Sequence, residues 1–335
     1  MKSFVPTTAQ LQSLFPGIAV SVLIAISAQF LSEHYGAPAM LMALLLGLSL
    51  HFLAEEGTRT EPGISLSART VLRLGVALLG ARISADMLVG LGTPMIALVI
   101  SGVLVTIVFA LIVCRLVGRS IGFALLTGGS VAICGASAAM AIAAVLPKHD
   151  KSQRDLVFTV LSVTVLSTIA MVLYPMLSNL FGFSTRDSGV FLGGTIHDVA
   201  QVVGAGFSIS PEVGENATLV KLIRVAMLAP VVLIFSLAYR SSSKATTGNK
   251  PPLLPGFVVG FLILAILNSI GLIPPFISEA AGNLSRWFLL IAIAAVGLKT
   301  SLKKMLDVGG VAIALIVAET VFLGGYVLIG LRLID

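Results

Sequence analysis

The sequence predicts an all-α polytopic membrane protein, and three observations carry that prediction. Of 335 residues, 57% are apolar and only 11% are charged, where an average soluble domain is roughly 25% charged. The mean hydropathy is +1.07. Apolar runs recur along the whole chain, separated by short connectors, and many approach the ~20 residues that a helix needs to cross a ~30 Å hydrocarbon layer. A soluble fold of this composition would lack the polar material to cover its outside, so a soluble enzyme, a disordered chain and a fibrous protein are all excluded.

Eleven membrane segments follow in order, at about 15–32, 38–54, 64–81, 94–117, 119–146, 156–180, 187–209, 217–239, 253–273, 284–298 and 308–331. The first is longer than the ~7–15-residue apolar region of a secretory signal and further spans follow it, so it reads as a span and not a cleaved leader. The longest polar connector runs from Arg240 to Lys250 and is followed by Pro251 and Pro252. It reads as a flexible cytoplasmic loop over 240–252. The chain is therefore expected to be one integral membrane domain over 1–335. Its first half would be 15–180, with a broken segment at 119–146, and its second half 187–331, with a broken segment at 187–209.

Those two segments differ from the rest. The first carries Gly128, Gly129 and Ser130 followed by Cys134, Gly135 and Ser137; the second carries Gly193, Gly194 and Thr195 followed by His197, Asp198 and Gln201. Paired glycines weaken a helix by about 1 kcal/mol each relative to alanine. Irregular backbone within a bilayer survives only where protein buries it or it lines a cavity. Two such interruptions in one bundle point to discontinuous or re-entrant helices around a transport site; the structural alternative is close helix packing through small residues. Gly80–Ser84 aligns with Gly297–Ser301, and Gly128–Val131 with Gly193–Ile196. These weak matches suggest an inverted repeat, although their different offsets do not fit a single collinear duplication.

The charge balance is +6 and the pI near 9.5. The basic residues cluster between apolar runs, so they read as topology signals and not as a nucleic-acid surface. With an internal N-terminus, 13 of the 21 Lys and Arg fall inside if every segment crosses, and 15 if both broken segments are re-entrant hairpins. Both arrangements put the N-terminus in the cytoplasm and the C-terminus outside. Cys114 and Cys134 both sit in apolar runs and the four histidines are scattered, so neither a disulfide framework nor a metal or other cofactor is expected.

The candidate substrate site lies between the two breaks, with Gly129, Ser130, Cys134, Gly135 and Ser137 on one side and Gly194, Thr195, His197, Asp198 and Gln201 on the other. Backbone N–H groups freed at the glycine pairs would supply donors for an anion. Lys221 and Arg224 open the span at 217–239, three residues apart on one face. They read either as a snorkelling interfacial pair or as the electropositive wall of the site. His197 and Asp198 are the proton-coupling candidates, the carboxylate holding the imidazole protonated so that proton and anion load together. Glu319, Arg73 and Asn268 read as contacts inside the bundle, and Trp287, the only tryptophan, as an interfacial belt residue.

The runs at 128–138 and 193–206, with Lys-Leu-Ile-Arg at 221–224, also resemble the YeiH family over essentially the whole chain. These are bacterial inner-membrane proteins whose catalogue name refers to sulfate export, grouped distantly with cation:proton antiporters and bile-acid-type transporters. The resemblance implies a multi-pass protein of the bacterial inner membrane with inverted repeats and broken helices. The function expected is secondary transport of a small inorganic or organic anion, a sulfur oxyanion or sulfonate, coupled to protons. Protons and membrane lipid would be its other partners, with a homo-oligomer as a further possibility. The alternatives are a cation:proton antiporter, an anion channel, and an intramembrane enzyme using Cys134 or Ser137 as nucleophile with His197 as base. No enzyme activity is expected on the leading reading, and no nucleotide motif appears.

Overall fold

The computed structural model describes residues 8–35, 37–147, 151–239, 256–300 and 310–334. The loop at 240–252, Lys303 and Lys304 lie outside the described residues. The described residues form helices and connecting turns. In chain order the helices are α1 (Thr8–Tyr35), α2 (Ala39–Ser49), α3 (Glu61–Leu66), α4 (Leu72–Leu79), α5 (Ala85–Leu91), α6 (Thr93–Leu116), α7 (Ile121–Ala132) and α8 (Ala136–Val145). They continue with α9 (Ser152–Leu180), α10 (Thr185–Thr195), α11 (Val199–Ile209), α12 (Pro211–Ala226), α13 (Leu228–Ala238), α14 (Gly256–Ser269), α15 (Pro275–Lys299) and α16 (Gly310–Ile334). A π-helical turn at Ser67–Val71 joins α3 to α4.

Among the described residues, seven helical stretches are long and apolar enough to cross a membrane: Gln12–Tyr35, Glu61–Arg82, Thr93–Leu116, Arg154–Leu180, Pro211–Ala238, Pro275–Lys299 and Ala312–Ile334. The other apolar helices, among them α2, α7, α8, α11 and α14, are shorter. Two boundaries depart from expectation. The stretch expected at 217–239 begins at Pro211, and the one expected at 284–298 begins at Pro275. Proline at the first helical position has no N–H to waste and is pre-set for helical φ, so it starts both helices upstream of the most apolar residues. Trp287 consequently falls at the middle of α15, half-exposed, instead of at a helix end.

The chain forms two compact units. One unit covers Met1–Ala85, Phe207–Ile209 and Phe257–Ser301. In it α15 packs on α1, α2 and α4. Lipid is as apolar as leucine, so packing in such a bundle rests on small residues and interhelical polar bonds. Ser285 donates to the Gly75 carbonyl at 2.6 Å, Ser278 to Ala81 at 2.8 Å and Asn268 to Ile83 at 3.2 Å. The second unit covers Asp86–Gly206, Ser210–Gly256 and Leu302–Asp335, and it contains both glycine-rich segments.

Two helical hairpins form the centre of this second unit. Ser120 caps the start of α7 by accepting from the Phe123 N–H at 3.2 Å. The helix stops at Ala132 and α8 starts at Ala136, antiparallel to it: a Cβ added at Gly129 in α7 would lie 2.3 Å from Ile142 Cδ1 in α8. A cleft lined by Gly122, Phe123, Leu126, Ala143, Leu146 and Pro147 marks where the open ends of the two arms lie side by side. The second hairpin is α10 and α11, and both arms pack against α12. Gly189 and Gly193 of α10 abut Asn216, Ala217 and Val220, while Gly206 of α11 abuts Gly214 and Ala217. Ser184 caps α10 and Ser210 caps α12, each accepting a backbone N–H at 3.2 Å.

Candidate functional site

The helix breaks do not fall at the glycine pairs. Gly128 and Gly129 lie within α7, Gly193 and Gly194 within α10, and the interruptions are Ile133–Gly135 and Ile196–Asp198. The glycines serve packing instead. A Cβ at Gly128 would sit 2.4 Å from Ala110 Cβ on α6, and one at Gly193 2.4 Å from the Ala217 carbonyl oxygen on α12. Both arms stay helical because unpaired backbone in an apolar interior costs more than the weak propensity of two glycines. The N–H groups at these pairs are therefore not the free donors that an anion site would need.

At the first tip the backbone turns through Gly135, whose φ is +61°, a region that residues with a Cβ rarely enter. The Gly135 N–H donates to the Ser130 carbonyl at 2.8 Å, closing the turn. At the second tip Ile196 and Asp198 are extended. The two tips meet: a Cβ built on Gly135 would be 3.6 Å from His197 Cβ.

Two cations from α12 hold the tips together. Arg224 donates to Ala132 at 2.8 Å (Nε), Val131 at 2.8 Å (Nη2), and Gly193 and Ile196 at 3.0 Å each (Nη1). Lys221 Nζ donates to the carbonyls of Ile133 at 2.7 Å and Ile196 at 2.9 Å. The side chains are 1% and 0% exposed. A helix ends with carbonyls that have no intrahelical partner and with a negative dipole end, so a buried cation is the natural cap. Here one fork and one ammonium cap the C-termini of α7 and α10 together. Because α12 starts at Pro211, Lys221 lies ten and Arg224 thirteen residues past its start, and with both side chains buried the snorkelling reading is corrected. Arg224 uses four of its five N–H groups and Lys221 two of its three in these bonds, which leaves one donor on each.

His197 is fully buried, and its Nε2 lies 2.9 Å from Thr320 Oγ1 on α16. The Thr320 hydroxyl donates to the Ile316 carbonyl at 2.7 Å, so its oxygen must accept from His197. That puts a hydrogen on Nε2, and a ring that is neutral with its hydrogen there has an acceptor lone pair on Nδ1. Nδ1 has no hydrogen-bond partner. Asp198 is half-buried and faces away. Its carboxylate caps α11 at the Ala200 N–H, 3.4 Å away, and its own N–H donates to Ser167 Oγ at 3.0 Å. The expected carboxylate–imidazole pair is thus not formed. Extended backbone sends neighbouring side chains to opposite sides, and an aspartate that begins a helix is drawn to the free N–H groups there. His197 bonds Thr320, and neither Cys134 nor Ser137.

The remaining expected residues are brought near the tips with different degrees of exposure. Ser130 and Thr195 are buried and return their hydroxyls to the carbonyls of Leu126 and Phe191. Gln201 is buried, with Nε2 3.4 Å from Thr168 Oγ1 and Oε1 without a partner. Cys134 is buried and free of any disulfide. Gly194 is buried with ordinary contact to Val327, whereas Ser137 is exposed in the first turn of α8, which has no side-chain cap at its N-terminus. Sequence reasoning missed the supporting residues: Ser167 and Thr168 on α9, Thr320 on α16, and the pair of Glu319 with Thr127, whose hydroxyl lies 2.8 Å from Glu319 Oε1. Isolated hydroxyls in apolar runs give no sequence signal of their own.

Seven long apolar helices and a polar knot sealed inside one helical unit define a multi-pass helical membrane protein. The chain belongs to the UPF0324 family, since the profile for Conserved hypothetical protein 698 matches residues 16–316. This fits the YeiH-type resemblance. The chain is 72% identical over 336 residues to the UPF0324 membrane protein TauZ of Paracoccus denitrificans, spanning 100% of this chain and 99% of that one. It is 62% identical over 318 residues to a UPF0324 membrane protein of Rhizobium meliloti (94% and 92% covered). A third relative, in Chlorobaculum tepidum, is 49% identical over 316 residues (94% and 88%).

Proposed function

We propose that this protein is a proton-coupled secondary transporter of a small anion in the bacterial inner membrane, with its N-terminus cytoplasmic and its C-terminus periplasmic. On this reading the two hairpins are re-entrant, each entering and leaving on one side. The observation that carries it is the buried pair Lys221 and Arg224 clamping two helix C-termini where the hairpin tips meet.

The charge count supports an anion. The helix C-terminal ends of α7 and α10 and the N-terminal ends of α8 and α11 carry about half a charge each, of opposite sign, and cancel. Lys221, Arg224 and an ionised Asp198 then leave a net charge of about +1. One univalent anion balances that, so a sulfonate suits the site better than doubly charged sulfate. The spare N–H on each cation and the uncapped first turn of α8 beside Ser137 supply its donors. His197 Nδ1 is the place for the coupled proton. Substrate, proton coupling and the absence of enzyme activity are all parts of this proposal, and a homo-oligomer is compatible with it.

The test is uptake by proteoliposomes of sulfate, sulfite and methanesulfonate, with and without a pH gradient. Saturable uptake that rises with the gradient is expected, strongest for methanesulfonate. Saturable cation exchange would favour the antiporter reading. Non-saturating conductance would favour a channel, and the absence of any anion flux would sink the proposal.

A further inference from the structure

Beyond the hairpin tips, α16 holds a second buried ionisable group to which the proposed mechanism assigns no part. Glu319 is 0% exposed. Its Oε1 is 2.8 Å from Thr127 Oγ1 on α7, and its Oε2 has no hydrogen-bond partner. Among the described residues no lysine or arginine forms an ion pair with it. The elements packed against α16 carry Arg115 on α6, Arg154 and Asp155 on α9, and Arg186 and Asp187 on α10, all near helix ends; the other titratable groups on them are few. From α6 comes the Cys114 thiol, from α9 the Tyr174 hydroxyl near Gly324, and from the second hairpin tip His197, bound to the adjacent Thr320. From α7 comes only the Thr127 hydroxyl.

Burial and the bare second oxygen bear on the state of this group. Thr127 Oγ1 lies 3.1 Å from the Phe123 carbonyl as well as 2.8 Å from Glu319, yet it has one hydrogen to give. If Glu319 were ionised, Thr127 could donate to Oε1, but Oε2 would remain a bare charged oxygen in an apolar interior. If Glu319 carries a proton on Oε1, every hydrogen is used. The acid donates to Thr127 Oγ1, Thr127 donates to Phe123, and Oε2 is left as an uncharged carbonyl oxygen.

We infer that Glu319 is a proton-binding site, occupied in this conformation, whose O–H latches α16 to the α7 arm of the first hairpin. Loss of that proton to water removes the donor and leaves a charge that only water or a cation can stabilise, so the latch opens. The next residue, Thr320, holds the second hairpin through His197. Consecutive residues of one helix therefore touch both hairpins, and the state of Glu319 is placed to bias the contact between them. In its transport role this inference rests on the function proposed above; the protonation itself does not.

Infrared difference spectroscopy of the purified protein tests the protonation without any substrate. At neutral pH the wild type should show the carbonyl stretch of a water-shielded carboxylic acid. That band should vanish in Glu319→Gln and shift in Thr127→Val, which keeps the acid but removes its acceptor. Absence of a band that depends on Glu319 would overturn the inference. Glu319→Gln resembles the neutral acid in shape, so its thermal stability should match the wild type; a large loss would also count against a protonated Glu319. In proteoliposomes with methanesulfonate as the probe, Glu319→Gln should retain exchange at equal pH and lose accumulation driven by a pH gradient. Full gradient-driven accumulation by that variant would overturn the coupling role. A wild type that moves no methanesulfonate would instead count against the transport reading and leave the infrared result standing.

Discussion

Arg224 should dominate the stability of the hairpin tips, and removal of its side chain is the most direct test of the capping argument. Arg224→Met deletes donors to four carbonyls, but Ile196 keeps Lys221. Val131, Ala132 and Gly193 lose their side-chain partner. At about 1–3 kcal/mol for each buried group left without one, the loss is roughly 3–9 kcal/mol. No longer burying a guanidinium offsets part of it, for a net cost of about 3–5 kcal/mol. Lys221→Met strands only the Ile133 carbonyl and should cost about 1–3 kcal/mol. Arg224→Lys keeps the charge but cannot fork between two hairpins, and should fall between the two. The assay is alkylation of Cys134, buried at the first tip, in a Cys114→Ser background, so that labelling reports local opening. A loss of ~3 kcal/mol accelerates opening-limited labelling about 100-fold, at tenfold per 1.4 kcal/mol. Removing a nearby cation by itself disfavours the thiolate, so electrostatics cannot mimic the acceleration. Labelling of Arg224→Met no faster than that of Lys221→Met would refute the reasoning.

Other substitutions separate packing, backbone and proton roles. Gly193→Ala drives a Cβ to 2.4 Å from the Ala217 carbonyl oxygen, whereas at Gly194 the nearest atom is 3.5 Å away. The first should cost about 1–3 kcal/mol and the second less than ~1 kcal/mol, read from thermal unfolding in detergent. Gly135→Ala has room, at 3.6 Å, but must keep a φ of +61°, so it should cost about 1–3 kcal/mol through backbone strain alone. Asp198→Ala should lose about 0.5–2 kcal/mol as a helix cap while Asp198→Asn keeps the cap, a contrast visible in the same unfolding measurement. His197→Ala should abolish the pH dependence of methanesulfonate binding measured by titration calorimetry at two pH values, and Asp198→Asn, whose side chain makes no bond to the imidazole, should leave it intact. Unchanged pH dependence in the His197 variant would remove the imidazole from the coupling scheme.

Composition and hydropathy made the helical membrane character legible, since both depend on sums over many residues and not on any single contact. The two unusual segments were legible for a related reason: clusters of glycine, hydroxyl and ionisable residues are rare in apolar runs. Their local geometry was not. Glycine pairs permit a break, but they permit a close helix contact equally well, and only the neighbours at Ala110 and Ala217 decide which. The depth of Lys221 and Arg224 was within reach of sequence reasoning, because Ser210-Pro211 is a cap followed by a first-turn proline. Glu212, Glu215 and Asn216 lowered the local hydropathy and hid that start. The orientation of His197 away from Asp198 depended on extended backbone at the tip, which a helical reading of adjacent residues does not anticipate.

The support of the tips explains why so few residues of the hairpins themselves look decisive. Each hairpin arm is short, 10–12 residues, and helices of that length are marginal without outside contacts. Their polar ends are completed from elsewhere: the C-termini by α12, His197 by α16, and Asp198 and Gln201 by Ser167 and Thr168 of α9. A change in any of these three longer helices therefore alters the tips without touching a hairpin residue. The carbonyls capped by α12 belong to both hairpins at once, so the two cannot separate at the tips while Arg224 keeps all four bonds. Any cycle that moves one hairpin against the other must break part of that fork, and an arriving anion that competes for the guanidinium is a means of doing so. Substrate-dependent acceleration of Cys134 labelling, abolished in Arg224→Lys, is the signature this coupling predicts; identical labelling with and without 10-fold excess methanesulfonate over its roughly measured Kd would exclude it.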